Sequence, residues 1–192
     1  ELNLPPFYLL GDRAFFADRA KILGLQVEFA DLSPEDTSAA FAKALPVVAT
    51  GEIATARPAQ PDETSASAAL ASIRHAVDHV RAGRAGAVVT NPIAKSVLYR
   101  AGFRHPGHTE FLAELAANGG RPPQPVMMLW SPELAVVPVT IHLSLREALA
   151  ELSTELIVST ARIAVADLAA RFGLARPRLA ISGLNPHAGE DG

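Results

Sequence analysis

Short apolar runs alternate with segments of helical periodicity along this chain. The apolar runs predict strands near residues 6–10, 86–90, 125–130, 134–140 and 178–182. Apolar positions spaced three or four residues apart predict helices over residues 13–23, 65–81, 91–101, 108–117 and 154–172. Ser144 and Glu147 have the spacing of a capping box and predict one further helix start. The alternation of the two patterns is typical of an α/β fold.

The strands are predicted to form a layered, mostly parallel sheet. Their runs are apolar at consecutive positions, as expected for strands that are covered on both faces. The runs at 125–130 and 134–140 are separated by a short gap at 131–133, so we predict that these two pair antiparallel. Residues 31–62 are rich in Pro, Ser, Thr, Asp and Gly, which indicates a loop with one edge strand around residues 45–48.

The composition excludes several classes of protein. Of the 192 residues, 49% are hydrophobic and 19% are charged, which suits a folded core better than a disordered chain. The net charge of −3 gives no support to nucleic-acid binding, and no apolar run reaches the ~18 residues of a membrane span. Because cysteine is absent, a disulfide scaffold, a thiolate metal site and a cysteine nucleophile are excluded. The chain does not start with Met and ends just after a candidate site, so we expect an incomplete protein.

The segment 104–110, RHPGHTE, places loop-forming Pro and Gly before a helix start at His108 and Thr109. Free N–H groups and the positive end of the helix dipole favour a phosphate or carboxylate at such a position. The side chains of His108 and Thr109 would add donors for the same anion. Capping of the helix by Thr109 accounts for the pattern equally well without a ligand. Lys95 could reach the same anion or could be an ordinary surface lysine.

His142 and His187 each follow an apolar run, where ligand sites of α/β folds cluster. Two neutral imidazoles can provide part of a divalent-metal site, with a third ligand from elsewhere. Ordinary hydrogen-bonding roles in loops are the alternative for both. His75 and His79 share one helix face, but the glutamate of an HExxH motif is missing, so we favour a solvated face there.

Three common catalytic fingerprints are absent from the sequence. No GxGxxG motif follows a predicted strand, no Walker A motif is present, and no GxSxG elbow is found. The sequence therefore gives no support to a Rossmann dinucleotide site, a P-loop or the usual α/β-hydrolase site.

Four strings nevertheless resemble one family in order and spacing, namely TNPIAK at 90–95, HTEF at 108–111, TIHLSLR at 140–146 and GLNPHAGE at 183–190. The family is 4-hydroxythreonine-4-phosphate dehydrogenase of pyridoxine biosynthesis, and the resemblance covers nearly the whole chain. It implies a fold like that of isocitrate and isopropylmalate dehydrogenases, with two domains that flank a cleft. NAD or NADP would bind there without a Rossmann fingerprint. Residues 1–192 would then cover parts of two domains, without a Gly-rich N-terminal segment and a C-terminal part.

The resemblance also implies roles for particular residues. His142 and His187 match two of three histidine ligands of a divalent metal (Zn, Mg or Co), and the third would lie outside this chain. His108 and Thr109 match positions that hold the phosphorylated substrate. Some relatives carry histidine at position 94, so Ala94 receives no role. A cytoplasmic homodimer with shared active sites is expected.

The implied reaction is NAD(P)-dependent oxidation of 4-phosphooxy-L-threonine to a 2-amino-3-oxo acid. That acid loses carbon dioxide and gives 3-amino-2-oxopropyl phosphate. Three alternatives stay open at this point. A sister dehydrogenase would act on phosphorylated four-carbon sugar acids or aromatic cis-dihydrodiol carboxylates. A phosphate acyltransferase of related fold would need neither NAD nor metal, and a non-catalytic protein would only bind a phosphorylated ligand.

Overall fold

The computed structural model describes residues 4–105, 107–117 and 119–190, which form two compact units divided between Pro123 and Gln124. The first unit contains β1 (Leu9–Leu10), α1 (Arg13–Ile22), β2 (Phe29–Asp31), a 3₁₀ turn (Pro34–Asp36), α2 (Thr37–Ala40), β3 (Leu45–Val48), α3 (Glu63–Arg81), α4 (Lys95–Arg100) and α5 (His108–Ala117). The second unit contains β4 (Leu129–Trp130), β5 (Ala135–Val136), α6 (Leu145–Glu151) and α7 (Thr154–Phe172).

The first unit is built on a parallel sheet with the strand order β1-β3-β2. The strand at 45–48 is therefore central, and the prediction of an edge strand there is wrong. Its proline explains both the prediction and the outcome. The Leu45 N–H donates to the Glu28 carbonyl at 2.7 Å, so the N–H that Pro46 lacks would point towards β1. Pairing with β1 begins only at Val47, and the missing donor leaves no gap in the ladder.

Side-chain caps explain where several helices begin and end. The Asp62 carboxylate accepts from the Ser65 N–H while the Ser65 hydroxyl accepts from the Asp62 N–H, which completes a capping box at α3. The predicted box between Ser144 and Glu147 is confirmed at α6. Gly173 ends α7 with a φ of 68°, a left-handed conformation that glycine adopts at low cost. The predicted bounds of α5 and α7 are confirmed.

The core of the first unit lies where α3, α4 and α5 meet. Its buried members are Ala66, Ile73, Val97, Leu98, Phe103 and Phe111. Phe111 belongs to the first turn of α5 and is 3% exposed, so the start of that helix is anchored in the core. This packing fixes the position of the helix turn that carries His108 and Thr109.

Two of the predicted strands do not form. Residues 87–90 and 177–183 have no ladder partner among the described residues, and Val89 and Ile181 are 96% and 68% exposed. A strand is stable only when neighbours satisfy its backbone groups, which an apolar run alone does not ensure. The other three runs form shorter strands, at β1, β4 and β5, and none of the five runs is helical.

The α/β fold with a parallel sheet and the antiparallel pairing of β4 with β5 are confirmed. The helix predicted over 91–101 begins only at Lys95, after an irregular stretch that contains Pro92. Within the described ranges, no helix combines the length and the apolar character that crossing a bilayer requires.

Candidate functional site

His108 and Thr109 lie at the first two positions of α5, as the sequence predicts. Both are partly buried, and the Nε2 atom of His108 is shielded from solvent without a hydrogen-bond partner in the described part of the chain. Burial lowers the pKa of His108, which keeps its imidazole neutral near pH 7. A buried ring nitrogen without a partner is costly, and a ligand that reaches it would remove that cost.

Two charged side chains approach Gly107, the residue before this helix start. If Gly107 carried a β-carbon, that atom would lie 2.7 Å from Glu110 Oε2 and 3.8 Å from Lys95 Nζ. Lys95, at the first position of α4, therefore lies beside the N-terminus of α5. A lysine ammonium beside free helical N–H groups suits an anion, and glutamate tempers the local positive charge. A role for Lys95 towards an anion stays a prediction.

His105 also lies beside this helix start, and no role was predicted for it from the sequence. Its Nδ1 lies 3.2 Å from Glu114 Oε2 on the second turn of α5. Its ring centroid is 5.0 Å from that of Phe103 and 4.9 Å from that of Phe111. The sequence signal was weak, because a histidine beside Pro and Gly is typical of any loop.

His142 lies in the irregular segment between β5 and α6, with a φ of 57°. The left-handed conformation is uncommon for a side-chain-bearing residue and costs about 1 kcal/mol or more. Neighbours of His142 in this segment, including Ile141 and Leu143, line a cavity of about 360 Å³ together with Glu147 and Glu151. The strained backbone is consistent with a side chain placed for a function.

His187 lies in a turn near the end of the described chain. Its backbone N–H donates to Asn185 Oδ1 at 2.9 Å, and its Nδ1 lies 2.6 Å from Glu190 Oε1. A carboxylate on one ring nitrogen directs the other nitrogen outward, which is the usual arrangement behind a metal-binding histidine. The side chain is 77% exposed, so Nε2 is accessible.

The chemistry of this donor set fits a divalent cation in part. His142 and His187 belong to the same unit, and imidazole nitrogen suits Zn²⁺ and related ions. Over residues 4–105, 107–117 and 119–190, no three His, Cys, Asp or Glu side chains are grouped so that they could hold a metal. The shared cation therefore stays a prediction that depends on a further ligand.

The histidine pair on α3 differs from the sequence interpretation. His79 is buried rather than solvated, and its Nδ1 is hydrogen-bonded to the Tyr8 hydroxyl at 2.9 Å. Burial, followed by the positive charge of Arg84 and by His75, lowers the pKa of His79. This histidine joins α3 to the segment before β1, which is a structural role.

A second cavity opens at the carboxyl edge of the parallel sheet, with a volume of about 530 Å³. Its walls include Asp12, which caps α1, and Arg13, which lies 3.5 Å from the Asp31 carboxylate. Asp12, two residues after the apolar run at 6–10, was the available sequence signal for this cavity.

A family model described as "Pyridoxal phosphate biosynthetic protein PdxA" matches residues 3–192. The chain belongs to the PdxA family. A curated PdxA-family relative, 4-hydroxythreonine-4-phosphate dehydrogenase of Bradyrhizobium diazoefficiens, is 72% identical over 200 residues, which cover all of this chain and 58% of the relative. The chain thus spans little more than half the length of that relative.

Two solved structures are also similar to this PdxA-family chain. A 4-hydroxythreonine-4-phosphate dehydrogenase from Burkholderia phymatum has a TM-score of 0.79 at 31% identity, with 96% of this chain and 55% of that chain covered. A terephthalate 1,2-cis-dihydrodiol dehydrogenase from Burkholderia xenovorans LB400 has a TM-score of 0.59 at 26% identity, with coverages of 95% and 54%. The PdxA-family chain is thus more similar to the first structure than to the second.

Proposed function

We propose that this PdxA-family protein oxidises 4-phosphooxy-L-threonine with NAD or NADP, in pyridoxal phosphate biosynthesis. The observation that carries the proposal is the 72% identity, along the whole chain, to a protein named 4-hydroxythreonine-4-phosphate dehydrogenase. In the reaction, the C3 hydroxyl loses its proton and C3 transfers a hydride to the nicotinamide. The products are a 2-amino-3-oxo acid, NAD(P)H and a proton. The β-keto acid then loses carbon dioxide and gives 3-amino-2-oxopropyl phosphate.

The phosphate of the substrate is assigned to the start of α5. The N–H groups of the first turn and the Thr109 hydroxyl can donate to phosphate oxygens, and the helix dipole favours negative charge. The buried Nε2 of His108, which lacks a protein partner in the described ranges, supports the same assignment. Lys95 beside Gly107 adds a positive charge at this position.

His142 and His187 are assigned to a divalent cation. The contact between His187 Nδ1 and Glu190 supports this role, because it orients the ring and makes Nε2 a better ligand. When bound, the cation would supply Lewis-acid stabilisation of negative charge on a substrate oxygen. The protein's own task is to hold both imidazoles in the orientation that the cation requires.

The proposed assignments are tested in the full-length protein with His142→Ala and His187→Ala. We expect both variants to lose most of the NAD(P)H formation and, in parallel, most of the bound metal as measured by elemental analysis. His75→Ala, at a histidine of α3 to which no ligand role is assigned, is the control and should keep both properties. Full metal content in both variants would show that the assignment is wrong.

A sister dehydrogenase activity is the second candidate, supported by the likeness to a cis-dihydrodiol dehydrogenase structure. A cis-dihydrodiol carboxylate carries no phosphate, whereas 4-phosphooxy-L-threonine and phosphorylated sugar acids do and differ from each other in the group beside the hydroxyl. A panel of phosphorylated hydroxy acids and cis-dihydrodiol carboxylates, assayed with NAD and with NADP, separates them and identifies the coenzyme. The expected homodimer is tested by sedimentation of the same preparation.

A further inference from the structure

His105 is held from two directions in the loop that leads into α5. Its ring packs on Phe103 and Phe111, with centroid distances of 5.0 and 4.9 Å, and both phenylalanines belong to the buried core. Its Nδ1 lies 3.2 Å from the Glu114 carboxylate. The imidazole is 23% exposed, whereas the Glu114 side chain is 63% exposed. The contact therefore joins a half-buried loop residue to the outer face of the helix.

This contact spans the start of α5. His105 precedes the helix, Glu114 lies in its second turn, and His108 and Thr109 lie between them. The first backbone hydrogen bond of the helix, from Phe111 N–H to the Gly107 carbonyl, is 3.3 Å long, slightly beyond the usual range. A side-chain contact across such a helix start limits how the chain can enter the helix.

We propose that His105, through its contact with Glu114, is a positioning residue for phosphate binding at the start of α5. The inference rests on the proposed function, since it takes the phosphate of the substrate to bind there. The contact aligns the first-turn N–H groups and the Thr109 hydroxyl with one another. Because the phosphate does not react, loss of this alignment weakens binding more than turnover.

A role in packing alone is the competing explanation, and two substitutions separate it from positioning. His105→Phe keeps an aromatic ring against Phe103 and Phe111 but removes the contact with the carboxylate. Glu114→Gln keeps the shape of the side chain and removes its charge. Asp167→Asn is the matched control, because it breaks another exposed pair, in which Asp167 lies 3.1 Å from Arg171 on α7.

In the full-length protein, KM for 4-phosphooxy-L-threonine and the inhibition constant of inorganic phosphate are measured for each variant. We expect both constants to rise about threefold to tenfold in His105→Phe and in Glu114→Gln, with kcat within twofold of the wild type. In the double variant, KM and the inhibition constant should rise no further than in the more affected single variant, because the two residues act through one contact. Unchanged constants, additive effects, or an equal rise in Asp167→Asn would overturn the proposal.

Hydrogen exchange keeps this test independent of the dehydrogenase activity. In the wild type, inorganic phosphate should slow exchange at residues 108–111, and both variants should show faster exchange there than the wild type. If the wild type forms no NAD(P)H but shows this pattern, the proposed function fails while the positioning role stands. If exchange at 108–111 is the same in the wild type and both variants, the positioning role is wrong.

Discussion

Replacing Thr109 with valine tests the phosphate assignment at the level of a single hydrogen bond. The two side chains have nearly the same shape and similar helix propensity, so α5 should form as before. A hydrogen bond to a charged group contributes about 1.5–3 kcal/mol. Thr109 is only partly buried, so we expect the lower end, about 1.5 kcal/mol, or about a tenfold weaker binding of the phosphorylated substrate.

The assay combines steady-state kinetics with thermal unfolding of the full-length protein. KM reports binding only when chemistry is slower than substrate release, so inhibition by inorganic phosphate is measured as well. Thr109→Val should raise both constants while the melting temperature stays within about 2 °C of the wild type.

Thr37→Val is a matched control that should behave in the opposite way. The Thr37 hydroxyl is buried and donates to the Pro34 carbonyl at 2.8 Å, so its loss should cost about 1–2 kcal/mol of stability. KM should not change in that variant. The reasoning is refuted if Thr109→Val leaves both constants unchanged, or if Thr37→Val raises them as much as Thr109→Val does.

Three further predictions concern stability. Burial lowers the pKa of His79 in the folded protein, so the unfolded chain binds a proton at His79 first as the pH falls. The free energy of unfolding should therefore be highest above about pH 6.5 and should decline as the pH falls from there to the lower pKa of the folded state. Urea unfolding at a series of pH values should show this decline in the wild type, whereas in His79→Gln, which cannot titrate, the part due to His79 should be missing. Ser144→Ala should lower the free energy of unfolding by about 1 kcal/mol, with faster hydrogen exchange in α6, because the capping box is lost. Gly173→Ala should lower the free energy of unfolding by a similar amount, about 1 kcal/mol in urea unfolding. The reason is the φ of 68°, which disfavours a β-carbon even though no atom lies within 4 Å of its position. An unchanged urea midpoint in Ser144→Ala or in Gly173→Ala would contradict the role given to that residue.

Local signals in the sequence were sufficient where the structure is determined locally. The capping box of α6, the periodicity of α7 and the glycine after it fix these helices through contacts only a few residues apart. The start of α5 was predicted on the same grounds, and it places His108 and Thr109 as expected.

Non-local pairing could not be predicted in the same way. The central position of β3 depends on neighbours from two other parts of the chain. Pro46 favours an edge strand, but the side on which it lacks an N–H faces β1 before the pairing between β1 and β3 begins. The apolar runs around Val89 and Ile181 lack ladder partners in the described ranges, so they form no strands. His79 is buried because Tyr8 packs on it from far along the sequence, which helix periodicity does not reveal.

The most direct test of the proposed function is the stoichiometry of the reaction of the full-length protein with 4-phosphooxy-L-threonine and NAD or NADP. The formation of NAD(P)H is followed by its absorbance, and released carbon dioxide is measured in the same sample. We expect one NAD(P)H and one carbon dioxide for each substrate molecule consumed, with the phosphate ester intact. No NAD(P)H from this substrate, together with turnover of a cis-dihydrodiol carboxylate or with no turnover at all, would contradict the proposal.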